Sequence, residues 1–126
     1  MKKIDFPAAE EIIMVNKRLI RHSRSSEKHA VLNKGAIDFL VDRVSGMANI
    51  WDAASKILIS LIEAHAFLEA NKRTAFVVTK TFLRKNGFNF SVDKSDIVFI
   101  YRIAGMDKKP GFGEVRDWIK KHCDEI

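Results

Sequence analysis

A helical period that runs through almost the whole chain constrains the fold more than any other feature. Apolar residues recur every three or four positions through most of the 126 residues, the spacing that gives a helix one buried face. Only two prolines and six glycines interrupt this pattern, and strand-like alternation is weak. The sequence therefore predicts an all-α fold, a compact bundle of about six helices in a single domain spanning residues 1–126, without a large sheet.

The period and its breaks give the expected elements. Helices are predicted from just after Pro7 to near His22, over about 35–47, 50–64 and 71–86, through Ala104 after possible caps at 93–96, and after a turn at 110–113. The helix over 50–64 is the most apolar, so we expect it to be central. The polar residues 22–34 predict a surface loop or short hairpin. The charged segment around Cys123 is interpreted as a solvated helix end.

The net charge and the cysteine content indicate the cellular compartment of the protein and the kind of partner that it binds. The net charge is +6, which favours anionic partners such as nucleotides, nucleic acids or an acidic protein. Basic residues are spread over every helix, so nucleic acid is not expected as a direct partner. With one cysteine, no signal-peptide pattern at the start and no apolar run of ~18–20 residues, we expect a cytoplasmic protein without a membrane partner.

One segment between the third and fourth predicted helices contains several side chains suited to catalysis and ligand binding. It reads His65-Ala-Phe-Leu-Glu-Ala-Asn-Lys-Arg73. Asn71 is a favoured N-cap type, which would put Lys72 and Arg73 in the first helical turn. The positive end of the helix dipole makes cations unfavourable there, and a bound anion would relieve the conflict. Asn71, Lys72 and Arg73 are therefore candidate phosphate ligands.

The other residues of the segment complete a possible catalytic site. His65 is a candidate general base at the end of the central helix. Glu69 offers the oxygen ligand that Mg²⁺ prefers. Phe67 is expected to insert into the core and support the loop.

The segment resembles the signature of the Fic/Doc family, His-x-Phe-x-(Asp/Glu)-(Gly/Ala)-Asn-(Gly/Lys)-Arg, and matches it at every specified position. The resemblance implies the Fic/Doc fold with a flap-like loop or hairpin near the active site, where the target backbone adds as a strand. It also implies transfer of a group from ATP, or another nucleoside triphosphate, with Mg²⁺, to a protein hydroxyl. His65 resembles the catalytic base, Glu69 the magnesium ligand, and Asn71, Lys72 and Arg73 the phosphate-binding set.

Two departures resemble the Doc branch, the death-on-curing toxins. AMP-transferring members usually carry glycine where this chain has Lys72, and a second arginine where it has Phe76. The Doc branch implies a reversed nucleotide and hence a protein kinase reaction, with an elongation factor as a plausible target and an antitoxin as partner. Three alternatives remain open: an AMP transferase (AMPylation), a non-enzymatic basic helical module that binds nucleic acid or protein, and a degenerate member that only binds a partner.

A second family feature is matched only in part. Many Fic proteins carry an inhibitory Ser/Thr-x-x-x-Glu-(Gly/Asn) helix, and the nearest match here runs from Ser23 through Glu27 to Lys28. The last position departs from the pattern and the segment lies in the predicted loop. We therefore interpret this match as fortuitous.

Overall fold

The computed structural model describes residues 3–23, 25–105 and 107–126, and this part of the chain contains six α-helices. They are α1 (Ala9–Arg21), α2 (Lys34–Val44), α3 (Ile50–Ala64), α4 (Asn71–Lys85), α5 (Ile97–Ala104) and α6 (Phe112–Lys121). A 3-10 helix, Lys94–Asp96, precedes α5, and β1 (Phe88–Phe90) pairs with β2 (Cys123–Glu125). The predicted all-α class with about six helices is confirmed.

Helix α3 is the centre of the bundle, as its apolar character predicted. Its N-cap is Asn49, whose side-chain oxygen accepts the N–H groups of Trp51 and Asp52, which satisfies two amides that have no helical acceptor. Ile57 and Leu58 are fully buried. Because α3 packs against α2, α4, α5 and α6, its last residue places the segment that follows against the core.

Helix α4 packs along α3 on one side and α1 on the other. Its buried residues include Ala75, Val78, Phe82 and Leu83, which recur at the three- and four-residue spacing of one helix face. Gly87 lies just past its end with φ 97°, in the left-handed region that favours glycine. The helix therefore ends where the sequence predicted.

The C-terminus corrects one prediction. The segment around Cys123, interpreted as a solvated helix end, is strand β2, antiparallel to β1 with Phe90 opposite Cys123. Its charged residues give no strand period, because the pairing is set by a partner strand far away in sequence. Burial raises the pKa of the Cys123 thiol to about 11, so the thiol stays protonated at neutral pH.

The loop between α1 and α2 lies against the motif segment as a flap. Val31 forms an isolated antiparallel bridge with Phe67, in which Leu32 N–H donates to Ala66 O at 2.7 Å and Leu68 N–H donates to Ala30 O at 3.0 Å. This is the flap-like loop expected near the site. Among the described residues, no helix combines the length and the apolar character needed to cross a bilayer.

Candidate active site

The loop between α3 and α4 begins and ends with a left-handed residue. His65, the C-cap of α3, has φ 47°, and Ala70, the N-cap of α4, has φ 64°. Left-handed backbone is uncommon outside glycine, although histidine tolerates it better than most residues, and such conformations concentrate at functional sites. The His65 side chain is exposed to solvent.

Phe67 and Asn71 hold this loop together. Phe67 is 2% exposed and lies in the core beneath the loop. The Asn71 side chain closes on the same residue: its oxygen accepts Phe67 N–H at 3.0 Å, and its Nδ2 donates to Phe67 O at 2.9 Å.

The position of Asn71 corrects the sequence interpretation. Ala70 is the N-cap, and Asn71 is the first residue of α4. Because the Asn71 amide bonds the loop backbone, the group that this residue offers to an anion is its main-chain N–H rather than its side chain. Local sequence favoured the capping role, but the left-handed Ala70 moves the helix start by one residue.

The N-terminus of α4 has the character of an anion site. Thr74 N–H donates to Ala70 O, so the amides of residues 71–73 precede the first helical bond and have no acceptor within the helix. The side chains of Lys72 and Arg73 are exposed on this same first turn. The helix dipole, the free amides and the two cationic side chains therefore all favour binding of an anion at the same turn.

These groups share an open cleft of about 440 Å³, a size typical of small-ligand sites. Its lining includes His65, Glu69, Asn71, Lys72 and Arg73. The structure thus brings all five polar residues predicted from the motif to one cleft. Tyr101 of α5, which the sequence analysis did not single out, also lines it, with the Lys72 Nζ 5.3 Å from its ring centroid.

Glu69 is the residue of the cleft that suits a metal ion. Its carboxylate is partly exposed, and its Oε2 accepts the Lys28 N–H of the flap at 3.0 Å. Within the described ranges, no three His, Cys, Asp or Glu side chains converge on a common point. Mg²⁺ is commonly held by one or two carboxylates together with substrate phosphates, so this donor set fits Mg²⁺ delivered with a nucleotide.

The flap also reaches the first turn of α4 through Glu27. The Arg73 Nη2 donates to Glu27 Oε2 at 2.5 Å, and the Ser23 hydroxyl donates to Glu27 Oε1 at 2.8 Å. The Ser23 hydroxyl and the Arg73 guanidinium lower the pKa of the Glu27 carboxyl. The Ser23–Glu27 match that we interpreted as fortuitous therefore corresponds to a contact with the motif arginine, although it does not lie in a helix.

Asn16 is a site residue that the sequence analysis missed. Its side chain is fully buried, and its Nδ2 donates to Glu69 O at 2.9 Å and to Thr74 Oγ1 at 3.0 Å. Its oxygen lies 2.8 Å from His29 Nδ1 of the flap, so His29 carries a proton on that nitrogen. Asn16 therefore joins α1, the flap and the motif loop. The sequence feature that could have revealed it is a single amide side chain inside the apolar stripe of α1.

Comparison with known proteins agrees with this geometry. The model of the Fic/DOC family matches residues 6–83, which run from just before α1 through most of α4 and include the motif loop. Over 50 residues the chain is 40% identical to the protein named Toxin Doc from Mycolicibacterium smegmatis (strain ATCC 700084 / mc(2)155). That alignment covers 40% of this chain and 38% of the relative, well under two thirds of its length. Because the family model matches more than half of the chain, this protein belongs to the Fic/DOC family.

Proposed function

We propose that this protein is a Doc-like toxin that transfers a phosphoryl group from ATP, or another nucleoside triphosphate, to a hydroxyl of a target protein. One observation carries the proposal: the exposed His65 shares an open cleft with the cationic N-terminus of α4. The similarity to a protein named as a toxin supports the biological role.

The phosphates are assigned to the first turn of α4. The amides of residues 71–73 donate to phosphate oxygens, and Lys72 and Arg73 add charge-assisted hydrogen bonds. Glu69 is the residue that would hold Mg²⁺, and Mg²⁺ when bound neutralises charge on the transferring phosphates. Arg73 must exchange its contact with Glu27 for a phosphate, or share it.

His65 has the role of general base. It accepts the proton of the target hydroxyl as the hydroxyl oxygen bonds to the γ-phosphorus. The bond from the γ-phosphorus to the β,γ-bridging oxygen breaks, and the nucleoside diphosphate leaves. A positioned base of this kind contributes roughly 10²–10⁴-fold to the rate.

Lys72 and Phe76 support phosphoryl rather than adenylyl transfer. Lys72 brings a long cationic side chain to the position where AMP-transferring members have glycine. Phe76 is partly buried and packs on Phe90 with ring centroids 5.3 Å apart, so no charge lies where those members carry a second arginine. A terminal phosphate is therefore best held at the His65 side of the cleft.

The test uses ATP labelled on either the γ- or the α-phosphate. The protein is incubated with each, Mg²⁺ and a bacterial lysate, and modified proteins are identified by mass. We expect γ-label and a phosphate-sized addition on one target, for which an elongation factor is the first candidate. His65→Asn, which keeps a residue type that tolerates left-handed backbone, should abolish labelling, whereas His22→Asn, also at a helix C-cap, should not.

Transfer of α-label would show the alternative activity, AMP transfer. Equal labelling by His65→Asn and the unmodified protein would contradict both activities. It would leave the binding-module interpretations, for which salt-dependent DNA binding is the distinguishing measurement.

The proposed setting is the cytoplasm, with an antitoxin as regulatory partner. A net charge of +6 favours an acidic, disordered tail that folds on this surface. Co-expression with the product of a short acidic neighbouring reading frame should restore growth and give a complex that weakens with salt. Toxicity unaffected by that product would contradict the pairing.

A further inference from the structure

Glu69, the residue of the cleft that suits Mg²⁺, is held at two points by two different parts of the fold. Its main-chain oxygen accepts a hydrogen bond from the Asn16 Nδ2 at 2.9 Å, and its carboxylate Oε2 accepts one from the Lys28 N–H of the flap at 3.0 Å. The first contact fixes where the residue lies, and the second fixes where its carboxylate points. A carboxylate has two oxygens, so Oε2 can stay bonded to the flap while Oε1 binds a metal ion.

The two contacts are joined through His29, the residue that follows Lys28 in the flap. The His29 Nδ1 donates to the Asn16 Oδ1 at 2.8 Å. Asn16 is fully buried, and its Nδ2 also donates to Thr74 Oγ1, so its amide cannot turn without leaving buried groups unpaired. Asn16, His29, Lys28 and Glu69 therefore form a closed ring of contacts in which each residue fixes the next.

We propose that His29 is a positioning residue, which acts through Asn16 and the Lys28 N–H to hold the Glu69 carboxylate in place before Mg²⁺ arrives. This inference rests on the proposed function, because it assumes Mg²⁺ delivered with a nucleotide. The Glu69 side chain is partly exposed, and fixing such a side chain when a ligand binds costs conformational entropy. Because the flap already restricts the carboxylate, that cost is smaller when the metal ion binds.

The same ring of contacts couples the metal ion to the target protein. A target that binds the flap stabilises the position of Lys28 and His29, and hence that of Glu69. Coupling between two sites is reciprocal, so Mg²⁺ bound at Glu69 also stabilises the flap. The Mg²⁺-nucleotide and the target protein therefore favour each other's binding.

Two substitutions at His29 separate its packing from its hydrogen bond. The ring lies beside the buried Phe67, with centroids 6.4 Å apart, while the Nδ1 donates to Asn16. His29→Phe keeps an aromatic ring and loses the donor. His29→Asn loses the ring and keeps an N–H donor at a similar distance from the backbone.

The experiment measures equilibrium binding of ATP to the full chain with Mg²⁺ and with a chelator, so that the ratio of the two affinities isolates the contribution of the metal ion. Mg²⁺ should tighten binding to the unmodified protein. His29→Phe should remove most of this gain, up to about tenfold, without changing the affinity for metal-free ATP, whereas His29→Asn should retain most of it. His22→Phe, which changes an exposed histidine at the C-cap of α1, is the matched control and should keep the full gain.

Hydrogen exchange at the Lys28 amide gives a second readout that does not depend on activity. Mg²⁺-ATP should slow this exchange in the unmodified protein, because the bound metal ion fixes the carboxylate that accepts the amide. In His29→Phe the exchange should be faster and insensitive to Mg²⁺-ATP. The amides of Ile57 and Leu58 in the buried helix α3 are the reference, since they report opening of the whole domain.

Several outcomes would overturn the inference. If His29→Phe keeps the full Mg²⁺ gain, or if His29→Asn loses as much of it, the hydrogen bond to Asn16 does not position Glu69, although the proposed function stands. Equal weakening with and without Mg²⁺, or equally faster exchange at Ile57 and Leu58, would make the role of His29 purely structural. Faster Lys28 exchange on addition of Mg²⁺-ATP would mean that the metal ion displaces the flap. If Mg²⁺ does not tighten ATP binding to the unmodified protein, the metal role in the proposed function fails as well.

Discussion

The two ends of α4 carry similar residues in opposite electrostatic settings. Lys72 and Arg73 occupy the first turn, where the helix dipole opposes cations, whereas Arg84 and Lys85 occupy the last turn, where it favours them. Lys72 and Arg73 line the cleft that also contains His65, whereas Lys85 lines a cleft without any residue of the motif. The comparison teaches that a basic pair placed against the helix dipole predicts an anion site, whereas a basic pair placed with the dipole predicts helix stabilisation.

Each end of α4 also has an asparagine whose side-chain amide forms hydrogen bonds with both the N–H and the C=O of one other residue. Asn71 bonds the N–H and C=O of Phe67, and Asn86 bonds the N–H and C=O of Asp5 at 2.8 and 3.0 Å. At the C-terminal end this contact fastens the N-terminal segment to the bundle. At the N-terminal end it shapes a loop whose left-handed residues leave His65 in solvent.

At each end of α4, a glutamate from another part of the chain forms an ion pair with one of the basic residues. Glu27 bonds Arg73 at 2.5 Å and Glu11 bonds Lys85 at 2.6 Å. The Lys85 contact lowers the pKa of Glu11, and the Glu11 contact raises the pKa of Lys85. The Glu11 pair reinforces an arrangement that the dipole already favours, whereas the Glu27 pair involves the cation that the proposed function assigns to a phosphate.

The largest expected effect is on Asn16, the buried residue that supports the motif loop at the N-terminal end of α4. Asn16→Leu keeps the branching of the side chain but leaves the buried Thr74 hydroxyl and the partly buried His29 ring without their partner, at a cost of about 2–3 kcal/mol in the free energy of unfolding. Hydrogen exchange at the Leu32 and Leu68 amides, which hold the flap, should also accelerate. Denaturant unfolding and exchange measure the two effects.

Thr79→Val is the control for that variant. The Thr79 hydroxyl is buried and bonds only Ala75 O in its own helix. Valine removes this one hydrogen bond and leaves no side-chain group without a partner, so the change should cost roughly 0.5–1.5 kcal/mol, less than the loss expected at Asn16. Equal losses for both variants would mean that Asn16 has no special role in joining the flap to the motif loop.

The next effect compares the basic pairs directly. Arg73→Ala should weaken Mg²⁺-ATP binding about thirtyfold, since a hydrogen bond to a charged group contributes roughly 1.5–3 kcal/mol. Arg84→Ala should leave ATP affinity unchanged. Calorimetric titration of both variants measures the difference, and a similar loss at Arg84 would contradict the assignment of function to one end only.

A smaller effect concerns the two carboxylates. Glu27→Gln should tighten ATP binding about twofold to fivefold at neutral pH by freeing Arg73, because exposed ion pairs are weak, whereas Glu11→Gln should not. The pKa of Glu27 is lowered, so in the unmodified protein protonation frees Arg73 only at acidic pH. The gain should therefore be constant through neutral pH; unchanged affinity in Glu27→Gln would show that Glu27 does not compete with phosphate.

The smallest effect concerns stability at the C-terminal end. The pKa of Glu11 is lowered from 4.5 and that of Lys85 is raised from 10.5. The pair is therefore fully formed between those values, and it is lost as pH falls through the lowered Glu11 pKa or rises through the raised Lys85 pKa. Lys85→Met should cost a few tenths of a kcal/mol at pH near 7, and this cost should shrink steadily as the pH falls below the ordinary Glu11 pKa and the carboxyl becomes protonated. Urea unfolding over a series of acidic pH values measures this, and a cost that does not change with pH would exclude the ion pair as the cause.

Local residues predicted the elements more reliably than the contacts between them. The bounds of α3 and the end of α4 follow from Asn49, Gly87 and the apolar period, because a cap and a buried face depend on neighbours within a few positions. The pairing of β2 with β1 was missed because neither short segment has a distinctive period of its own. Asn71 was assigned as a cap because its residue type fits, whereas the left-handed Ala70 decides the helix start.

The sequence by itself determined the helical class, the position of the central helix and the group of residues from His65 to Arg73, because each depends on spacing along the chain. Only the tertiary structure decided that Asn16 supports the loop, that Glu27 holds Arg73 and that Tyr101 lies beside Lys72 in the cleft. These residues lie 29 to 58 positions from the groups they contact, so packing rather than local pattern brings them together.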